Sequence, residues 1–129
     1  QATPFEHRSF GEELALCERY FVECFSGDSN YESAGSGWAY SGGVVVYKPL
    51  RVQMRARPTI SKSASGTIHV SDDVNTSTNV SNIITSTDVA SRDIMYMECT
   101  ASGVTTYRPY HARANGTTTD ASIKIDAEI

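Results

Sequence analysis

The residues of this chain with the means to do chemistry gather in two stretches. Tyr107, Arg108, Tyr110, His111, Arg113 and Asn115 crowd between Gly103 and Gly116, and Trp38 and Tyr40 stand in the run SAGSGWAYSGG, with Tyr31 in the loop before it. Flat aromatic rings stack on the C–H faces of sugars, while guanidinium and amide groups hydrogen-bond hydroxyls and carboxylates. The expected chemistry is carbohydrate binding without turnover, with Tyr107, Tyr110, His111, Arg113, Asn115, Trp38, Tyr40 and Tyr31 as candidate contacts. Two plainer readings stand beside it. A lone Trp in a small β-domain is more often core than platform, and the 107–115 stretch suits subunit packing as well as it suits a ligand. Under the ligand reading, alanine at Tyr110 and Arg113 abolishes binding without unfolding.

Catalysis finds less support. Glycan hydrolysis needs two carboxylates about 5–9 Å apart, and the candidates are Asp72, Asp73, Asp88, Asp93 and Glu98. Asp72 and Asp73 precede Val-Asn-Thr-Ser and read as a turn with an Asx cap. Glu98 alternates with Met95, Met97 and Cys99, which leaves its face open. His7, His69 and His111 accompany no nucleophile elbow and no Cys in a recognisable motif, and His69, between Ile68 and Val70, reads as a half-exposed strand position. The sequence has no H-x-H, H-x₃-H or EF-hand pattern. Asp72 and Asp73 with Asn75 offer oxygen ligands for Ca²⁺, but a solvated turn accounts for them better. No enzyme activity, cofactor or metal is expected.

Composition narrows the classes further. A chain of 129 residues and 14.0 kDa suits one domain. Its net charge of -4 and pI near 5.3 disfavour nucleic acid as the main partner. No apolar run approaches the roughly 20 residues of a membrane span, and no signal peptide leads the chain. Cys17, Cys24 and Cys99 form no C-x-x-C pair, so buried thiols are expected at Cys17 and Cys24 rather than a disulfide framework or a zinc site.

These side chains need elements to position them, and the signals are β nearly throughout. Ser9 and Glu12 form an S-x-x-E capping box for a helix over residues 10–19, and Phe10, Leu14, Cys17 and Phe21 fall at helical spacing. Strands are expected over residues 20–25, 37–47, 50–57, from 59, and over 67–70, 79–86, 94–101, 104–107 and 122–129. In residues 50–57, Leu50, Val52, Met54 and Ala56 alternate with Arg51, Gln53, Arg55 and Arg57, giving one apolar and one largely basic face. The three arginines read as a solvated or subunit-facing stripe guarding a strand edge. Short strands at this spacing, with Ser/Thr-rich connections, imply an all-β antiparallel sandwich behind a short N-terminal α-helix.

The opening stretch ATPFEHRSFGEELALCERYF closely resembles a junction in tail-fibre and tail-tip proteins of tailed bacteriophages. There an upstream module ends in a phrase like Ala-Thr-Pro-Phe-Glu-x-Arg, and Glu-Glu-Leu-Ala-Leu-Cys-x-Arg-Tyr-Phe opens the C-terminal domain. KPLRVQMRARPTI at residues 48–60 looks like the family's strand phrase ending in Met-Arg-x-x-Pro-Thr, and IDAEI at 125–129 is similar to its usual chain end. Over residues 61–110 the type of pattern matches and the letters do not. The resemblance implies a linker from an upstream fibre module over residues 1–9 and a C-terminal domain over 10–129, at the distal end of a longer virion protein. It further implies a jelly-roll-like knob packed as a homotrimer, assembled in the bacterial cytoplasm, where the sequons at Asn75, Asn79 and Asn115 stay bare. Its partner would be a bacterial surface polysaccharide or lipopolysaccharide, with no membrane insertion. The alternatives are a structural domain that trimerises and terminates the fibre, or a glycan hydrolase.

Overall fold

The computed structural model describes residues 9–25, 31–72, 74, 77–84, 92–116 and 120–127. Most of the 1–9 linker, His7, Asp73, Asn75, Asp88, Ser86 and residues 128–129 lie outside them.

Helix α1 (Phe10–Glu18) begins as its cap dictates: the Ser9 Oγ accepts from the Glu12 N–H at 3.3 Å, and Glu12 Oε2 accepts from the Ser9 N–H at 2.8 Å. The expected stripe does not enter the core. No residue of α1 is buried, Phe10 is 83% exposed, and Cys17 is exposed rather than buried. The helix is instead tied to residues 51–55, where the Arg55 N–H donates to Arg19 O at 2.8 Å and Arg51 meets Glu18 at 3.5 Å. The Arg55 guanidinium also lies 5.5 Å from the centre of the Tyr20 ring. Two of the three arginines of the basic face therefore fasten the helix to the body.

Ten strands follow among the described residues: β1 (Phe21–Cys24), β2 (Ser33–Tyr40), β3 (Gly43–Pro49), β4 (Thr59–Lys62), β5 (Ile68–Asp72), β6 (Ser77–Asn79), β7 (Asn82–Ile84), β8 (Ile94–Thr100), β9 (Pro109–Ala114) and β10 (Ile123–Asp126). They form a three-stranded sheet, β1-β10-β4, and a seven-stranded sheet, β6-β5-β9-β2-β3-β8-β7, antiparallel throughout. The larger sheet must curl. Its outermost strands are joined through Val80 and Ser81, and these adjacent residues donate to Ile68 O on β5 and Thr100 O on β8, both at 3.0 Å. Neighbouring residues reach opposite sides of a seven-stranded order only if the sheet rolls towards itself. Met54, Ile68, Val70, Val80, Met95 and Met97 fill the core with Ile123 and Ile125 of the smaller sheet, all fully buried. The expected all-β antiparallel sandwich with a leading helix is the observed fold.

Residues 37–47 divide at Ser41 and Gly42 into the β2–β3 hairpin, and of residues 79–86 the described part divides between β6 and β7; two further strand assignments are corrected. Among the described residues no strand pairs with residues 50–57, although Met54 is buried and Arg51, Gln53, Arg55 and Arg57 are exposed. The Leu50 and Met54 N–H groups donate to Asp93 O and Arg92 O at 2.9 Å, an irregular tie in place of a ladder. Residues 104–107 form a turn, with Tyr107 left-handed at φ 66°. The strand of this region is β9, inside the stretch of charged and aromatic residues to which no strand was assigned.

Candidate functional site

β9 lies between β5 and β2 near the middle of the larger sheet, and this brings the two candidate stretches together. Ser36 pairs with His111 and Trp38 with Pro109. Period-two alternation turns Tyr110, Ala112 and Ala114 to the core and leaves Pro109, His111 and Arg113 on the outer face beside Trp38 and Ser36. Trp38 is 47% exposed, so it is not the core residue its rarity suggests; the inward position next to it belongs to the fully buried Ala39. Its ring leans on Tyr47 of β3, with centroids 5.4 Å apart at 34°, and Tyr47 meets Tyr96 of β8 edge-on at 5.4 Å. Tyr96 keeps its proton well into alkali: loss of solvent and the hydrogen bond to Glu98 push it up to about 12.

Arg113 is fixed from two sides. Its Nε donates to Ser71 Oγ at 2.6 Å, and its guanidinium lies 4.4 Å from the centre of the Tyr31 ring. Tyr31 holds this place with a left-handed backbone, φ 62°, which is costly for a residue with a side chain. The ring rests where Gly116 has no side chain, since a Cβ there would come within 2.5 Å of Tyr31 Cζ. Tyr31, Ser77, His111 and Arg113 line a hollow of about 500 Å³. A second hollow, about 380 Å³, has Trp38, Pro109 and His111 among its walls. His111 borders both, so they form one groove along β9, in which the strand rises about 13 Å from Pro109 to Arg113. Across from Arg113, His69 Nδ1 is 2.8 Å from Ser77 Oγ. Burial first, and the Arg113 charge second, lower the His69 pKa and favour its neutral form.

Four of the eight candidate contacts therefore converge: Tyr31, Trp38, His111 and Arg113. The other four do not join them on the outer face of β2 and β9, although Tyr110 also borders the Trp38 hollow and the hollow of Tyr40 shares Ser77 with that of Arg113. Tyr110 is 3% exposed, and its hydroxyl accepts from the Thr105 N–H at 3.1 Å, so its ring packs in the core. The Asn115 amide donates to Gly66 O at 2.8 Å. Tyr107 is 88% exposed at a turn tip, and Tyr40 lines a hydroxyl-rich hollow with Ser41, Ser102 and Thr106. Ser36, Ser71, Ser77 and Tyr47 belong to the site or support it, and sequence reasoning passed over them. The alternation of Tyr110, Ala112 and Ala114 with Pro109, His111 and Arg113 was the signal that marked a strand and sorted its faces.

Of the described candidate carboxylates, Asp72 and Glu98 lie on opposite faces of the larger sheet. Asp72 points inward, takes the Arg108 Nη1 at 2.9 Å and has a side chain 1% exposed, whereas Glu98 faces outward between the buried Met97 and Cys99. Among the described residues no group of three or more His, Cys, Asp or Glu is placed to hold a metal ion. Cys24 and Cys99 are buried, and loss of solvent raises both thiols, Cys99 to about 12. Comparison with protein-family models, curated proteins and solved structures returns no match.

Proposed function

We propose that the chain is a non-enzymatic carbohydrate-binding domain, the host-receptor-binding tip of a phage tail fibre directed at a bacterial surface polysaccharide or lipopolysaccharide. The observation that carries the binding reading is the half-exposed Trp38 in line with His111 and Arg113 along the β2–β9 pair. An exposed indole offers a sugar its flat apolar face, and the neighbouring imidazole and guanidinium offer hydrogen bonds to hydroxyls. These groups stand on central strands, which hold them in place better than loops do. An open groove with few contacts makes a weak single site, and a homotrimeric fibre end would raise it by avidity. The exposed Phe10, Leu14 and Leu16 of α1 would give such a trimer an apolar surface. The phage assignment itself rests on the junction, strand and chain-end phrases.

A glycan array of bacterial surface polysaccharides, probed with the chain and with Trp38→Ala, tests this. Retention of a glycan by the chain and its loss in the variant are expected. Silence of the chain with a stable trimer in sedimentation would favour the fibre-terminating role, and shortening of a retained glycan would favour hydrolysis.

A further inference from the structure

We propose that the Arg113 end of the groove reads a carboxylate, so that the ligand is an acidic polysaccharide carrying uronic-acid sugars. The inference rests on the glycan reading above and narrows it. Among the described residues no carboxylate pairs with Arg113, in contrast to Arg108 with Asp72 and Arg51 with Glu18. Yet the Arg113 side chain is ordered as though a partner were due. Nε is committed to Ser71 Oγ, and the Tyr31 ring covers one guanidinium face. Of five N–H donors, those on the two terminal nitrogens have no hydrogen-bond partner among the described residues. The hollow beside them carries the Ser77 hydroxyl and the His111 ring. A planar fork of this kind matches a carboxylate in a bidentate pair, and prior immobilisation of the fork reduces the entropy lost when the pair forms.

Among the described residues this charge has no carboxylate partner. His69, paired with Arg113 across β5 and β9, is biased towards its neutral form, and Asp72 is held by Arg108. The groove thus offers a fixed guanidinium on a chain whose net charge is -4, a local reversal of sign that favours an anion. Tyr31 accepts a strained left-handed backbone to keep its ring over Arg113. Strand geometry also sets the order of sugars. Trp38 lies beside Pro109, and Arg113 is about 13 Å further along the strand. The unit that stacks on Trp38 is consequently a different one from the unit whose carboxylate reaches Arg113.

The test immobilises hexuronic-acid-containing oligosaccharides, their carboxyl-reduced counterparts, and the reduced backbones carrying sulfate esters. The unaltered chain should hold the acid form at least about tenfold more tightly than the reduced form, the scale of a charge-assisted pair. That preference should weaken as salt rises. Arg113→Gln, with an unchanged melting profile, should erase the preference, while Trp38→Ala weakens both forms. Equal retention of acid and reduced forms would overturn the carboxylate subsite and leave the glycan reading standing. Equal retention of sulfated and carboxylated forms would overturn carboxylate reading in favour of general anion capture. Retention of none would overturn both readings. The comparison of ligands on the unaltered chain does not depend on how any variant folds.

Discussion

Across the β2–β9 pair Trp38 faces Pro109 and Gly37 faces Tyr110, so one step along either strand carries a side chain from solvent to core. Tyr110→Ala should therefore cost about 3–5 kcal/mol, as for other buried aromatics, rather than act as a clean binding mutant. Trp38→Ala gives up its contact with Tyr47 and should cost about 1 kcal/mol. Urea denaturation of both variants checks this, and a Trp38 variant as unstable as the Tyr110 one would place the indole in the core. His69 supplies the pH dependence at this scale. Its folded pKa lies below the ordinary 6.5, so between those values the unfolded chain binds more protons. The stability it contributes is full above about 6.5, and it is lost as pH falls from there through the lower folded value. His69→Asn should flatten the change in melting temperature between about pH 5 and 7. An unaltered slope in the variant would assign that dependence to other groups.

At the scale of elements, the glycines around Trp38 have a packing role. A Cβ on Gly37 would stand 1.8 Å from Val45 O, a backbone atom that cannot swing away. Gly37→Ala should push β2 from β3 and cost about 1–3 kcal/mol or more, visible as a lowered thermal midpoint; an unshifted midpoint would contradict the close approach. What could be read from sequence follows from what each pattern determines. The S-x-x-E box is local, and it forms. The alternation of residues 50–57 correctly separates Met54 from Arg51, Arg55 and Arg57, although bends interrupt the segment. It cannot say whether a neighbouring strand exists, and among the described residues none pairs with 50–57. Conversely, Tyr110, Ala112 and Ala114 make a weak apolar face by composition, since two of the three are small, and β9 was hidden by the conspicuous residues between them. The aromatic and basic candidates were legible by type. Their division into Tyr31, Trp38, His111 and Arg113 on one side and Tyr40, Tyr107, Tyr110 and Asn115 elsewhere depends on register, which the chain alone does not state.

For the whole molecule, the question is whether the two sheets are separable. The smaller sheet contributes Ile123 and Ile125, both fully buried, to the same cluster as Val44, Val46, Met95 and Met97 of the larger one. The chain also crosses repeatedly between the sheets, with β1 before β2, β4 between β3 and β5, and β10 after β9. No cut in sequence isolates either sheet. Ile125→Ala removes atoms from the shared layer and should cost about 2–5 kcal/mol. Trp38 reports on this from the outer face of the other sheet, where the substitution does not reach it directly. If one core holds both sheets, the Trp38 fluorescence transition and the far-ultraviolet dichroism transition move together to the same lower urea midpoint, as two-state unfolding requires. A Trp38 transition that stays in place while the dichroism shifts would mean that the larger sheet stands without the smaller, and the rigid platform assigned to the groove would then belong to the curled sheet alone.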